Sequence, residues 1–249
     1  MDIQKYLERI NYTGSFNPDA EVLSSLQLAH LMTVPFENLD IYYKVPIDLD
    51  NLFDKIVNRR KGGFCYELNG LFYQLLIETG FTVKMISAGV YNHKKEYSPE
   101  YDHMALLVTT RDNNYLVDVG FGEFAHSPIN MQVNTETIDS TGIFKVEQLD
   151  ENYHVVKKKN AFGEFTPEYM FSINKRKLHD FDERCLFHQT SNESHFMQNR
   201  ICSMPTKNGR ITLTGSTLKI TESEIIKETH LDNEQAVQQA LWNYFKIKL

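Results

Sequence analysis

Residues 59–72 read RRKGGFCYELNGLF, and the organisation of the chain unfolds outward from them. Two glycines stop whatever precedes. Beyond Cys65 the apolar residues Leu68, Leu71, Phe72, Leu75 and Leu76 return at helical spacing, and Gly80 supplies a natural C-terminal stop. Upstream, Ile3, Tyr6, Leu7 and Ile10 outline a first helix. Asn17 and Pro18 offer an N-cap and a first-turn proline to a second, which carries Val22, Leu23, Leu26 and Leu31 and ends at Pro35. Asp50 caps a third, with Leu52, Phe53, Ile56 and Val57. Downstream of Gly80 the texture changes. FTVKMISAGVY, HMALLVTT and YLVDVGF are β-branched and aromatic runs, and RDNN between the last two is hairpin chemistry. GIFKVEQL and YHVVKKK flank a turn at DEN; a helical DFDERCLFHQT, the strands NRICSMP, RITLTG and STLKIT, and an amphipathic DNEQAVQQALWNYF complete the chain. The pattern predicts an α+β chain in three lobes: helical over 1–80, β-stranded over 81–180 and mixed over 181–249.

Composition narrows the function. With 16 Phe and 13 Tyr among 249 residues there is ample apolar area to bury, which excludes a disordered chain. A net charge of −7 argues against a nucleic-acid binder, whose footprint is basic. No apolar run approaches the length of a membrane-spanning helix, and MDIQKYLERI lacks the features of a secretory signal. Cys65, Cys185 and Cys202 are too few and too scattered for a disulfide framework, so a reduced, cytoplasmic protein is expected. Neither CxxC nor HExxH occurs, and no metal is expected.

The densest chemistry sits at Cys65. Following two glycines and opening a helix, its sulfur meets unpaired N–H groups and the positive end of the helix dipole, which favour a thiolate and a depressed pKa. The competing reading is a buried cysteine that merely begins a core helix. A nucleophilic thiol needs a base, and the base an orienting group. His103 opens the strand HMALLV. Asp118 is flanked by Val117 and Val119, a costly place for a carboxylate unless it is paired. The RDNN turn would bring the two to adjacent antiparallel strands, face to face. Glu67 and Asn69 read as supports of the local backbone, Cys185 and Cys202 as structural, and the lysine run at 157–159 as a solvated strand end.

These residues together resemble the arylamine N-acetyltransferases, over nearly the whole length. The family's pattern Arg-Gly-Gly-aromatic-Cys-x-Glu-x-Asn is matched by KGGFCYELN at Gly62, Gly63, Phe64, Cys65, Glu67 and Asn69. VPFENLD (34–40), YSPEYDHMALLV, YLVDVGFG and SHFMQNRICSMPTKNGRITLTG match further segments in order. The resemblance implies a helical bundle, an antiparallel β-barrel and an α/β lid around a Cys-His-Asp core of the cysteine-protease kind, with Cys65, His103 and Asp118 as the triad. It implies acetyl-CoA as donor, an arylamine or arylhydrazine as acceptor, and ping-pong transfer through an acetyl-Cys65 thioester. Phe36, Val90 and Phe121 are the implied acceptor-binding residues; Ser98, Asp102 and Phe196 are the implied CoA contacts. The acidic loop with Glu96, Glu100 and Asp102 is an odd host for pyrophosphate, so Lys94, Lys95 or C-terminal lysines are expected to compensate. One departure stands out. Lys61 replaces the family's arginine, and a lysine offers a point charge where arginine offers a bidentate fork; altered stability or donor affinity is expected, not loss of reaction. Two other classes share parts of this pattern: a Cys-His-Asp hydrolase of papain or transglutaminase type, and a non-catalytic binder of CoA or aromatic ligands.

Overall fold

The structure is a computed structural model and describes residues 1–223 and 225–249. Helices α1 (Ile3–Arg9) and α2 (Ala20–Leu31) come first. A two-residue strand β1 (Phe36–Glu37), a short helix α3 (Leu39–Tyr42), a π-helical turn Asp54–Asn58 and the long helix α4 (Cys65–Glu78) follow. α2 begins later than Asn17-Pro18 implied, because Asp19 is the cap: its carboxylate accepts the Val22 N–H at 2.9 Å. The helix expected after Asp50 shrinks to little more than the π-helical turn, whose Lys55 is drawn inward by three carboxylates. α4 holds the centre of the first lobe, with Leu68, Leu71, Phe72, Leu75 and Leu76 fully buried.

Strands β2 (Thr82–Val90), β3 (His103–Thr109), β4 (Asn114–Val117), β5 (Ile129–Asn130), β6 (Thr137–Asp139), β7 (Gly142–Gln148), β8 (Tyr153–Lys159) and β9 (Phe165–Ser172) form an antiparallel sheet ordered β5-β4-β3-β2-β9-β8-β7-β6. Its edges approach, the Asn130 N–H donating to Thr137 Oγ1 at 3.1 Å, so the sheet is nearly closed and barrel-like. Ile86, Ala105, Phe144, Val156 and Tyr169 fill its interior, while Met85, Met104 and Leu106 face the other way, into the core of α4.

The third lobe contains α5 (Asp182–Thr190), α6 (His195–Gln198), β10 (Ile201–Thr206), β11 (Gly209–Thr214), β12 (Thr217–Glu222), β13 (Ile225–His230) and α7 (Glu234–Ala240). Its sheet runs β1-β10-β11-β12-β13, with Val237, Ala240 and Leu241 packed on Cys202, Leu213 and Leu218. Thus β1, from the helical end of the chain, is an edge strand of the C-terminal sheet, with Phe36 opposite Ser203 and Glu37 opposite Cys202. The fold is α+β in three lobes, and the first is sewn to the third beside Cys65.

Candidate active site

α4 begins at Cys65, and the approach to it is unusually close. A Cβ on Gly62 would lie 2.1 Å from the Pro35 carbonyl oxygen, so no side chain fits there. The Glu37 N–H donates to the Gly63 carbonyl at 2.8 Å, and the Phe64 N–H to Glu67 Oε2 at 3.1 Å. Beneath lies a buried charge cluster. Lys55 Nζ sits 2.8 Å from Asp40 Oδ2, 2.8 Å from Glu67 Oε1 and 3.6 Å from Glu37 Oε1. Burial opposes the Lys55 charge, but the three carboxylates hold its pKa above the ordinary value. Lys61, the residue in place of arginine, lies 3.1 Å from Asp40 Oδ1, a single-point contact. Burial raises the Asp40 pKa, yet Lys55 and Lys61 together bring it below the usual carboxylate range.

His103 opens β3, and Asp118 follows the last residue of β4. The ladder pairs Leu106 with Val117, so His103 and Asp118 meet diagonally and not squarely opposite as the hairpin suggested. The diagonal still brings His103 Nε2 to 2.7 Å from Asp118 Oδ2, with both residues buried. Asp118 is thoroughly satisfied: Oδ1 accepts from Asn69 Nδ2 and from the Gly120 N–H, both at 2.9 Å, and Oδ2 accepts from the Tyr169 hydroxyl at 3.1 Å. Asn69 also donates to the Met104 carbonyl at 2.7 Å and accepts the Val119 N–H at 3.0 Å. It therefore ties α4, β3 and the loop after β4 together. A Cβ on Gly120 would stand 2.7 Å from Cys65 Cα, which brings that loop onto the start of α4.

A cavity of about 440 Å³ opens over this assembly. Cys65 and His103 line it, as do all six residues expected to bind substrate or CoA: Phe36, Val90, Phe121, Ser98, Asp102 and Phe196. Asp118 does not; it stands behind His103. Ser98 is already engaged, its hydroxyl accepting the Val90 N–H at 2.9 Å. Asp102 is held by Arg184 and His188 of α5, with His188 Nε2 at 3.2 Å. Four contributors escaped the sequence reading. Tyr169 lies in β9, where a bulge near Pro167 breaks the alternation that would have marked a strand; the aromatic spacing of Phe165, Tyr169 and Phe171 was the available signal. His195 and Ile201 line the cavity from the third lobe. Asn38, within VPFENLD, tethers that lobe: Nδ2 donates to the carbonyls of Phe196 and Asn199, each at 2.8 Å, and Oδ1 accepts the Ile201 N–H at 2.6 Å.

The helix terminus does not depress the Cys65 pKa as expected. Burial pushes it well above the ordinary thiol value, and Asp118 and Asp102 add to the rise, against a hydrogen bond from the Met104 backbone. Among the described residues no group of three or more His, Cys, Asp or Glu side chains is placed to hold a metal ion, and no helix is long and apolar enough to cross a membrane.

A profile of the N-acetyltransferase family matches residues 19–249. A pineal gland isozyme of arylamine N-acetyltransferase from Gallus gallus is 32% identical, over 96% of this chain and 88% of that one. The chain belongs to the arylamine N-acetyltransferase family. Arylamine N-acetyltransferase 1 of Homo sapiens is 30% identical over 100% of this chain and 95% of its own. Among solved structures, the arylamine N-acetyltransferase of Mycobacterium marinum in complex with CoA is 31% identical with a TM-score of 0.90, covering 99% of this chain and 93% of that one. An arylamine N-acetyltransferase is an acyltransferase, and acetyl-CoA-dependent N-acetylation of arylamines through a cysteine is the activity that membership carries. This decides against the hydrolase and the non-catalytic binder.

Proposed function

We propose that Cys65, His103 and Asp118 are the catalytic triad of this reaction. The observation that carries the reading is the 2.7 Å contact between His103 Nε2 and Asp118 Oδ2, made within the wall of the cavity that Cys65 lines. With Nε2–H donated to Asp118, Nδ1 is left to take the Cys65 proton. The thiolate so formed attacks the acetyl carbonyl of acetyl-CoA. The bond from that carbonyl to the CoA sulfur breaks, and CoA leaves as a thiol after accepting the proton from His103. One thioester replaces another, so the exchange is close to balanced. An arylamine, neutral near pH 7, then attacks acetyl-Cys65; His103 takes an amine proton and returns it to the departing Cys65 sulfur.

Phe36, Val90 and Phe121 form the acceptor arm in this reading, and Ser98 and Phe196 flank the pantetheine end of the donor. Asp102, already committed to Arg184 and His188, is a poor partner for CoA. The donor's phosphates have a better host next door. A second cavity of about 810 Å³ is lined by Lys207, Arg210 and Lys219; Glu123 in its wall follows Gly122 of the first cavity, and Thr214 pairs with Ile201 of the first. These cations join Lys94, Lys95 and the C-terminal lysines as candidates to offset the acidic loop. The lobes over 1–80, 81–180 and 181–249 then contribute the nucleophile, the His-Asp pair and the lid. Three free, buried cysteines suit a reducing compartment such as the cytoplasm.

The test is intact-protein mass spectrometry after mixing with acetyl-CoA alone. One acetyl group is expected on the wild type and none on Cys65→Ala, and the adduct should discharge when an arylamine is added. Double-reciprocal plots should be parallel. Intersecting lines, or an unacetylated wild type that still turns over, would sink the mechanism.

A further inference from the structure

The lining of the catalytic cavity is electrically lopsided. Phe36, Val90, Phe121, Phe196 and Ile201 make it apolar, and among the described residues no Lys or Arg lines it. Asp102 is its one carboxylate. The side chain keeps 17% of its surface exposed, so it is not sealed from what enters. Burial raises its pKa, but His188, Arg184 and Ser98 beside it win and hold it below the usual carboxylate range. It is therefore ionised near pH 7. Arg184 balances that charge from behind: it sits on α5, its guanidinium stacks 4.1 Å above the Phe187 ring, and it is absent from the cavity wall. His188 is likewise buried on α5 and does not line the cavity. His195 does, with a pKa lowered by partial desolvation and by the nearby His188. A ligand thus meets the negative end of the Asp102–Arg184 pair with no Lys or Arg on its own side. Lys207, Arg210 and Lys219 line a different cavity.

We infer that Asp102 makes the acceptor arm selective by charge: it takes neutral or cation-bearing aromatic amines and hydrazines and rejects those carrying a carboxylate. The inference rests on the acetyl transfer proposed above and adds the class of acceptor. An anionic acceptor entering here loses hydration, finds no Lys or Arg to receive it and faces a carboxylate. A cationic one loses hydration too, but is repaid by Asp102. An uncharged apolar pocket would reject both ions alike, so the asymmetry between cation and anion is what identifies the carboxylate.

Three acceptors isolate that asymmetry: 4-aminophenylacetate, its methyl ester and (4-aminobenzyl)trimethylammonium. In each a methylene separates the substituent from the ring, which keeps the three amines similar in nucleophilicity. In a ping-pong reaction kcat/KM for the acceptor reports only the second half-reaction, and ratios between acceptors cancel any loss of folded or acetylated enzyme. For the wild type, kcat/KM of the anion should fall at least about tenfold below the ester, with the cation within about threefold of the ester or above it. Asp102→Asn should shrink the cation-to-anion ratio by about tenfold or more. Equal rejection of both ions by the wild type, preference for the anion, or a ratio unchanged in Asp102→Asn would overturn the inference. Should Asp102→Asn fail to fold, the wild-type asymmetry alone decides. Acetylation of none of the three would instead overturn the acetyl transfer itself, a different result from rejection of the anion alone.

Discussion

Asn69 makes three buried hydrogen bonds with one amide, to Asp118, to the Met104 carbonyl and from the Val119 N–H. Removing it strands groups that have no route to water. Each buried polar group left unpaired costs about 1–3 kcal/mol. Asn69→Ala is therefore expected to lose about 2–4 kcal/mol of stability in urea denaturation. It should also lower kcat/KM in the surviving folded enzyme, because Asp118 loses a partner that fixes its plane. A variant with wild-type stability would show that water replaces the amide. At this scale the sequence was informative wherever chemistry is local. Cys65 opens its helix, as two glycines and a following apolar period implied. Its pKa was not legible, because burial is set by the barrel and the lid, which the local stretch does not encode. Tyr169 was invisible for the same reason: its hydroxyl matters only once β9 is paired beside β2, some fifty positions from Asp118.

The turn into α4 depends on a backbone-to-backbone fit between Gly62–Gly63 and β1. Gly62→Ala places a methyl group 2.1 Å from the Pro35 carbonyl oxygen, and neither backbone can retreat without breaking the Glu37–Gly63 hydrogen bond. It is expected to cost about 3 kcal/mol or more, or to abolish folding. Gly122→Ala is the matched control. Nothing lies within 4 Å of its added Cβ, and only the positive φ of 63° opposes it, so about 1–2 kcal/mol is expected. Equal melting temperatures for the two variants would refute the close-packing account. Elements with a full period were legible: α4, β2, β3, β7, β8 and β10 to β12 lie close to their expected positions. Those missed share a cause. β1, β5 and β6 have 2, 2 and 3 residues, too short for any period, β9 is broken by a bulge, and β13 is exposed at every position, so it carries no apolar alternation.

At the scale of the whole molecule, stability should depend on pH through a histidine remote from the chemistry. His30 is fully buried where α1, α2 and α4 meet; its Nδ1 lies 2.9 Å from the Tyr6 hydroxyl, and its ring stands edge-on to Phe72 at 5.3 Å. Burial, reinforced by Arg9, lowers its pKa from 6.5 to about 3. The unfolded chain takes up the proton near the ordinary value, while the folded one refuses it until about 3. Through that window the unfolded state binds more protons, so the stabilising contribution is intact above pH 6.5 and is lost as pH falls toward 3. One such group gives a slope of up to about 1.4 kcal/mol per pH unit. His126, His154 and His195 also have lowered pKa values and act in the same direction, which makes the difference between proteins the decisive quantity. His30→Gln keeps a polar partner for Tyr6 but cannot titrate. Urea denaturation at pH 6.5 and pH 5 should find that the wild type loses about 2 kcal/mol more than His30→Gln over that interval. Equal losses would mean that His30 finds a proton-accepting route in the folded state, and that acid sensitivity arises elsewhere.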